Sequence, residues 1–252
     1  MSLANSFLLK VKRGDTPFFR TLRKMARAVL SPHAPPIPGL LRPPLRAMYQ
    51  LHFAVVRLWH VFWNVCYRHP LFQARCASIG RDVVVDRLPF VNGPVEIRIG
   101  DHVRIGGNVS ILSARVDDQP VFVMQDYAEI GWNVTIAVAK QVVIEEHARV
   151  SFDCRISDTD GHPREADLRA LNAPAHPRDV KPVRICKHAW IGNGTHIMKG
   201  VTIGEGAVIG ANSVVISDIP PFSLALGNPA EVFLRNFGRP SRRPGSGPSP
   251  QA

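Results

Sequence analysis

The sequence predicts a mainly β fold, a coil of short parallel strands, on two observations. An isoleucine or valine returns at every sixth residue, from Ile185 through Ile191, Ile197, Ile203 and Ile209 to Val215. Four residues after each of these stands a second small or apolar residue: Ala189, Thr195, Val201, Ala207, Ser213 and Ile219. On an α-helix six residues turn about 600°, so a six-residue beat would point in three directions. One long strand tolerates an even period. However, Gly192, Gly194, Gly200, Gly204, Gly206 and Gly210 punctuate the run, and glycine weakens strands and marks turns. A solenoid of strand–turn units, each turning its Ile or Val inward, satisfies both observations.

In chain order, residues 1–15 read as mobile. Residues 16–30, TPFFRTLRKMARAVL, read as a short basic helix with Arg20, Arg23, Lys24 and Arg27 on one side. Residues 31–44 hold six prolines and read as a stiff linker. Residues 45–68 predict an amphipathic helix: Arg46, Gln50, Arg57, His60, Asn64 and Arg68 gather within about 80° of one another. The rest of its surface, His52 apart, is apolar and aromatic, with Tyr49, Trp59, Trp63 and Tyr67, and Pro70 is expected to end it.

The beat begins near Ile79 and is clear at Ile99, Ile105 and Ile111. After an interruption at 112–123 it returns at Met124, Ile130 and Ile136, then at Ile144, Val150 and Ile156. A longer interruption, 159–182, precedes the final run. Six to seven three-strand coils follow from this count, a stack roughly 30 Å tall. At the end of the chain NPAE predicts a helix start, with Asn228 as cap, Pro229 in the first turn and Glu231 reaching back. That helix is expected to stop at Gly238. The domains expected are thus 1–76, a basic helical region; 77–221, the coil; 222–238, a segment with a short helix; and 239–252, disordered by composition.

The chain carries a formal net charge of +11. Residues 1–75 hold twelve Lys or Arg and one acid, Asp15, whereas the other 177 residues hold 19 basic and 19 acidic side chains. So local an excess points to an anionic partner of the N-terminal quarter and not to a protein that coats nucleic acid. The 45–68 helix suits an anionic membrane surface; packing against the open end of the coil is the alternative. A spanning helix is disfavoured, since Arg57, His52 and His60 interrupt residues 47–67. Cys66, Cys76, Cys154 and Cys186 show neither metal spacing nor a disulfide framework, as expected of reduced thiols in the cytoplasm, and no signal peptide is legible.

The beat, WIG at 190–192, GHP at 161–163 and the ending IPPFSLALGNPAEV together resemble the hexapeptide-repeat acyltransferases. The resemblance covers about 77–237 and is similar in layout to the galactoside, maltose and nodulation-type O-acetyltransferases and to those of colanic acid and lipopolysaccharide. It implies a left-handed parallel β-helix, a homotrimer, acetyl-CoA as acyl donor, and a site in a groove between subunits. It further implies His162 as general base. Imidazole suits that task at neutral pH, where a placed base contributes ~10²–10⁴ in rate. Asp158 and Asp160 either orient His162 or bind acceptor hydroxyls. The coenzyme contacts implied are Trp190, Gly192, Gly210, Ala211, Ser217, Asn228, Pro229 and Arg235. Two positions depart from the pattern: Ser217 stands where relatives often carry lysine, and Glu231 where they often carry a basic residue. Phosphate binding then falls to Arg235, Arg239, Lys199 or backbone N–H groups.

Three histidines, His102, His147 and His188, share one offset from an inward residue and predict a stacked outward column. They lack the five-residue spacing of the zinc-binding hexapeptide proteins, so no metal is expected. His176 is a rival base in the same loop as His162, and Cys154, at a small inward position, is expected in the core. The resulting expectation is an O-acetyltransferase acting on a cell-envelope or exopolysaccharide sugar, cytoplasmic and peripheral on the inner membrane. The alternatives are a soluble acceptor, such as an amino sugar or serine, and a non-catalytic scaffold.

Overall fold

The computed structural model describes residues 3–30, 37–113, 116 and 119–239. Residues 31–36 of the expected linker, and the expected disordered tail from 240 on, lie outside the described residues. The chain divides into two compact units, Met1–Leu58 and Trp59–Ala252.

The first unit opens with α1 (Leu3–Arg13) and α2 (Pro17–Leu30), where residues 1–15 were expected to be mobile. The turn between the helices supplies the reason. Gly14 adopts φ +70°, the left-handed conformation that ends helices, and its N–H donates to the Lys10 carbonyl at 2.9 Å. Thr16 Oγ1 then accepts from the Phe19 N–H at 3.4 Å, which caps α2. The pair is held by Phe7 meeting Phe19 edge-on at 5.7 Å and by the Arg23 guanidinium donating to the Lys12 carbonyl at 3.2 Å. After a short 3₁₀ turn, Gly39–Leu41, α3 runs from Arg42 to Trp63. It starts inside the expected linker, because Pro43 and Pro44 fall in its first turn, where no N–H is needed. None of its side chains is buried.

In the second unit Pro70 does not end the helical run. A π-helical turn, Asn64–Arg68, leads into α4 (His69–Arg75), and Pro70 takes an N-terminal position of α4. A wide turn beside a proline relieves its ring clash and its missing donor together. Phe72 of α4 is buried in the core, and the Arg75 guanidinium donates to the carbonyls of Val95 (3.0 Å) and Gly93 (2.9 Å) on the early coils.

Six coils follow. Each contributes one strand to each of three parallel faces. The first face runs Ser78–Ile79, Glu96–Ile99, Val121–Met124, Gln141–Ile144, Val183–Ile185 and Thr202–Ile203. The second begins at Val84–Val85 and reaches Val208–Ile209, and the third begins at Phe90–Asn92 and reaches Val214–Val215. The sequence beat is the pairing register. Ile99, Met124, Ile144, Ile185 and Ile203 pair in succession on the first face. Ile105, Ile130, Val150, Ile191 and Ile209 do so on the second, and Ile111, Ile136, Ile156, Ile197 and Val215 on the third. All fifteen are buried, and full burial of an Ile or Val stabilises by ~1.5–3 kcal/mol. The alternate set is buried too, and the hydroxyls of Thr195 and Ser213 inside the coil both donate to the Gly210 carbonyl, at 3.2 and 2.7 Å.

The three edges differ. Between the first and second faces each coil turns through one left-handed residue, with φ from +54° to +61° at Asp82, His102, Tyr127, His147, His188 and Gly206. Between the second and third faces the same role falls to Asn108, Asn133, Asp153, Gly194 and Asn212, with φ from +57° to +69°. Asn and Asp are the side chains that best tolerate this region. The third-to-first edge has no fixed length: the strands it joins end and resume at Ser113 and Val121, at Val138 and Gln141, and at Ser157 and Val183, so the first interruption is shorter than the expected 112–123.

The C-terminal helix is not formed. Ser223–Gly227 adds one more parallel strand to the second face, and Ala230–Arg235 pairs with it antiparallel. The residues expected as a helix cap, Asn228 and Pro229, form the turn of this hairpin through a cis peptide bond. The physical reason is the open edge: the last strand exposes unpaired N–H and C=O groups, and Val232 and Phe233 suit a strand that covers them.

Candidate active site

Strand Arg155–Ser157 closes the fourth coil's third face, and Val183–Ile185 opens the fifth coil's first face. The loop between them carries His162. Its root is closed by Lys181 N–H donating to the Asp158 carbonyl at 3.0 Å. The Asp158 carboxylate is fully buried. One oxygen accepts from Ala139 N–H at 2.6 Å, the other from Lys140 and Gln141 N–H at 2.7 and 2.8 Å. Burial raises its pKa, against the smaller lowering pull of the amide donors. Asp158 thereby ties the loop to the corner of the preceding coil. Asp160 Oδ2 pairs with Lys199 Nζ, from the coil that follows. The two aspartates left open by the sequence are thus engaged by neighbouring coils, one on each side.

His162 itself is exposed, beside buried Pro163. The Arg169 guanidinium, from the short helix α5 (Ala166–Ala170), donates to the carbonyls of Pro163 (3.2 Å) and Arg164. Ion pairs Arg164–Asp179 (3.4 Å) and Arg178–Glu165 (3.1 Å) cross the loop. His176 is half-buried in the same loop, and its carbonyl accepts from Asp179 N–H at 2.9 Å.

The residues expected at the coenzyme fall into two places. Trp190 lies on the second face, exposed, its indole Nε1 donating to Ser151 Oγ at 3.1 Å. With Phe152, Arg149 and Glu129 it lines a depression of about 460 Å³. Gly192 and Gly210 follow the paired Ile191 and Ile209, with Ala211 beside them. A Cβ on Gly192 would come within 2.7 Å of the Ala211 nitrogen, and one on Gly210 within 2.8 Å of Leu226 Cβ, so coil packing alone accounts for both glycines. Asn228, Pro229 and Arg235 extend the same face through the hairpin, whose Gly227 N–H donates to Ser213 Oγ at 3.2 Å. Ser217 is elsewhere. It follows Val215 as Lys199 follows Ile197, on the edge that bears the His162 loop. In a three-faced coil the second face lies opposite the third-to-first edge, so one chain does not bring these two groups together.

The histidine column is formed. His102 stacks on Tyr127 (4.7 Å between centroids), Tyr127 on His147 (4.8 Å) and His147 on His188 (5.1 Å), all within 18° of parallel. Among the described residues no cluster of His, Cys, Asp or Glu has the arrangement of a metal site. Cys154 is buried in the core, its Sγ 3.2 Å from the Gly192 carbonyl, and burial pushes its thiol pKa up. Sequence reasoning missed Tyr127 in the column, although it stands three residues after Met124, the offset already noted for the histidines. It also missed Arg169 and the Lys199–Asp160 pair, which no local signal marks.

A family profile described as bacterial transferase hexapeptide (six repeats) matches residues 182–217. The galactoside O-acetyltransferase of Escherichia coli (strain K12) is 31% identical over 166 residues, which span 66% of this chain and 67% of that protein. The chain belongs to the hexapeptide-repeat transferase family. A Staphylococcus aureus (strain COL) protein that carries an acetyltransferase name is 57% identical over 54 residues, but the match spans only 27% of that protein and 21% of this chain. The hexapeptide-repeat fold recurs in a solved structure of a mutant of AntD, an N-acyltransferase from Bacillus cereus, in complex with dTDP and coenzyme A. The TM-score is 0.55, with 18% identity, over 68% of this chain and 89% of that one.

Proposed function

We propose that this hexapeptide-repeat protein transfers an acetyl group from acetyl-CoA to a sugar hydroxyl, with His162 as general base. The observation that carries the reading is the His162 loop: an exposed imidazole on a segment fixed to the coils before and after it. His162 accepts the hydroxyl proton as the acceptor oxygen attacks the thioester carbonyl. The tetrahedral intermediate collapses with loss of the C–S bond, and the imidazolium returns its proton to the departing thiolate. The products are the sugar ester and coenzyme A. No covalent nucleophile is required, in keeping with Cys154 lying in the core. The likeness to a galactoside O-acetyltransferase supports a sugar acceptor.

The split between the His162 edge and the Trp190 face supports a site shared between copies, one chain offering the base and its neighbour the aromatic face. A homotrimer of left-handed coils is the assembly proposed. Trp190, Gly192, Gly210, Ala211, Asn228, Pro229 and Arg235 then hold the coenzyme from one chain, and Ser217 from the other. The domain assignment proposed keeps 77–221 as the catalytic coil, 222–238 as its closing segment, 239–252 as a tail and 1–76 as an attachment region.

For that region we propose an anionic membrane surface, on the cytoplasmic side, which favours an envelope sugar as acceptor. Support comes from the charge split and from Phe7, Leu8, Phe18, Met48, Leu51 and Trp59, all exposed on its helices. Among the described residues no helix is long and apolar enough to cross a membrane. Each basic side chain near anionic lipid adds about 1 kcal/mol. Full-length protein should therefore sediment with anionic vesicles at low salt, and a 77–252 fragment should not; full-length protein that stays in the supernatant removes the membrane, and with it the preference for an envelope acceptor. A mass-shift screen with acetyl-CoA against galactosides, amino sugars and serine tests the reaction. A gain of one acetyl group on a galactoside supports it, whereas acetylation of an amine alone replaces the O-acetyl reading.

A further inference from the structure

We propose that Lys199 is a positioning residue for His162 and acts through Asp160. The proposal rests on the assignment of His162 as base. The Lys199 side chain is only 13% exposed and meets Asp160 Oδ2. A charged group so covered is costly to leave without a partner. Asp160 is separated from His162 by Gly161 alone, and Gly161 has φ +79° with no heavy atom within 4 Å of where its Cβ would be. The joint just before His162 is therefore unpacked around its Cα, and its N–H donates to Thr159 Oγ1 at 3.1 Å. On the C-terminal side the Arg169 guanidinium fixes the carbonyls of Pro163 and Arg164. On the N-terminal side Asp158 and Thr159 are held at the root of the loop, and Asp160, the last side chain before Gly161, is held by Lys199.

Lys199 also belongs to the corner that follows Ile197. It is therefore part of the rigid stack and not of the loop, so the pair transmits the position of the fifth coil to a loop that leaves the fourth. Without it, Gly161 lets the imidazole drift, and a displacement of about 1 Å in a reacting group costs ~10²-fold in rate.

The test compares Lys199→Met, Lys199→Arg and wild type, each alone and with His162→Ala, using acetyl-CoA and p-nitrophenyl β-galactoside as probes. Lys199→Met should lower kcat by about 10–100-fold with the KM for acetyl-CoA nearly unchanged. Lys199→Arg should recover most of the rate. In the His162→Ala background Lys199→Met should cost nothing further, because the two act as one unit. A kcat for Lys199→Met within about threefold of wild type, or an equal further loss without His162, overturns the proposal. So does loss of the cooperative unfolding transition in Lys199→Met, which would make Lys199 part of the fold. A wild-type protein that acetylates nothing defeats the functional reading instead. The clamp is then judged by nuclear relaxation of the His162 ring, which should become more mobile in Lys199→Met; unchanged mobility overturns it.

Discussion

The first-to-second edge and the third-to-first edge are built on the same six coils, yet they could hardly differ more. On the former, every coil turns through one left-handed residue, and four rings stack at 4.7 to 5.1 Å. On the latter, the loops vary in length and the contacts are particular: a buried carboxylate on three amides, a lysine reaching an aspartate from the next coil. Repetition brings equivalent positions of successive coils into line, so that their rings stack. Where the repeat is interrupted, side chains from successive coils converge on a segment that has no place in the stack. In this molecule that segment is the one carrying His162.

Breaking the ladder that both edges share should have the largest effect. Ile197→Asp puts an unpaired carboxylate inside the coil, at a cost of several kcal/mol against a total stability of ~5–15. The variant should be unfolded or aggregated; a soluble protein with unchanged circular dichroism would mean that Ile197 does not point inward. A smaller effect separates the two edges. His147→Val places a β-branched residue at φ +57° in the stacked edge, which should cost about 1–2 kcal/mol in stability and leave transfer intact. Gly161→Ala, at φ +79° with open space around its Cβ, should cost a similar ~1–2 kcal/mol globally yet reduce turnover, because the strain falls next to His162. Equal losses of activity in both would erase the distinction between a structural and a functional edge. The smallest effect expected is in thiol labelling. Cys66 is exposed, whereas burial pushes Cys76 up to about 11 and raises Cys154 and Cys186 as well. The thiolate is the reactive form, so alkylation near pH 8 should mark Cys66 first, and mass mapping that finds Cys154 labelled as fast would contradict its burial.

How much of this was legible depended on whether a feature repeats. The register of all three faces can be read from the spacing of Ile185, Ile191 and Ile197, because a position pointing into a coil takes an apolar or small residue, most often Ile or Val. The histidine column was legible for the same reason. The C-terminal segment was not. NPAE has the local form of a helix start, but the open edge left by Ser223–Gly227 outweighs it, and that edge exists only once the coil is built. Residues 3–13 were missed because their order comes from Phe7 packing on Phe19 of the next helix. His162 was reached through GHP, whereas Lys199 follows the repeat and looks like any surface lysine until Asp160 is found beside it.

In our proposal the exposed imidazole on the irregular edge does the chemistry. The direct measurement is turnover of acetyl-CoA and p-nitrophenyl β-galactoside by His162→Asn, with His176→Ala as control and acetyl-CoA binding followed in parallel. His162→Asn should lose ~10²–10⁴ in kcat while binding acetyl-CoA as tightly as wild type and keeping its oligomeric state. His176→Ala, altered in the same loop, should stay active. Turnover by His162→Asn within about threefold of wild type would mean that His162 is not the base, since a general base cannot be removed at so small a cost.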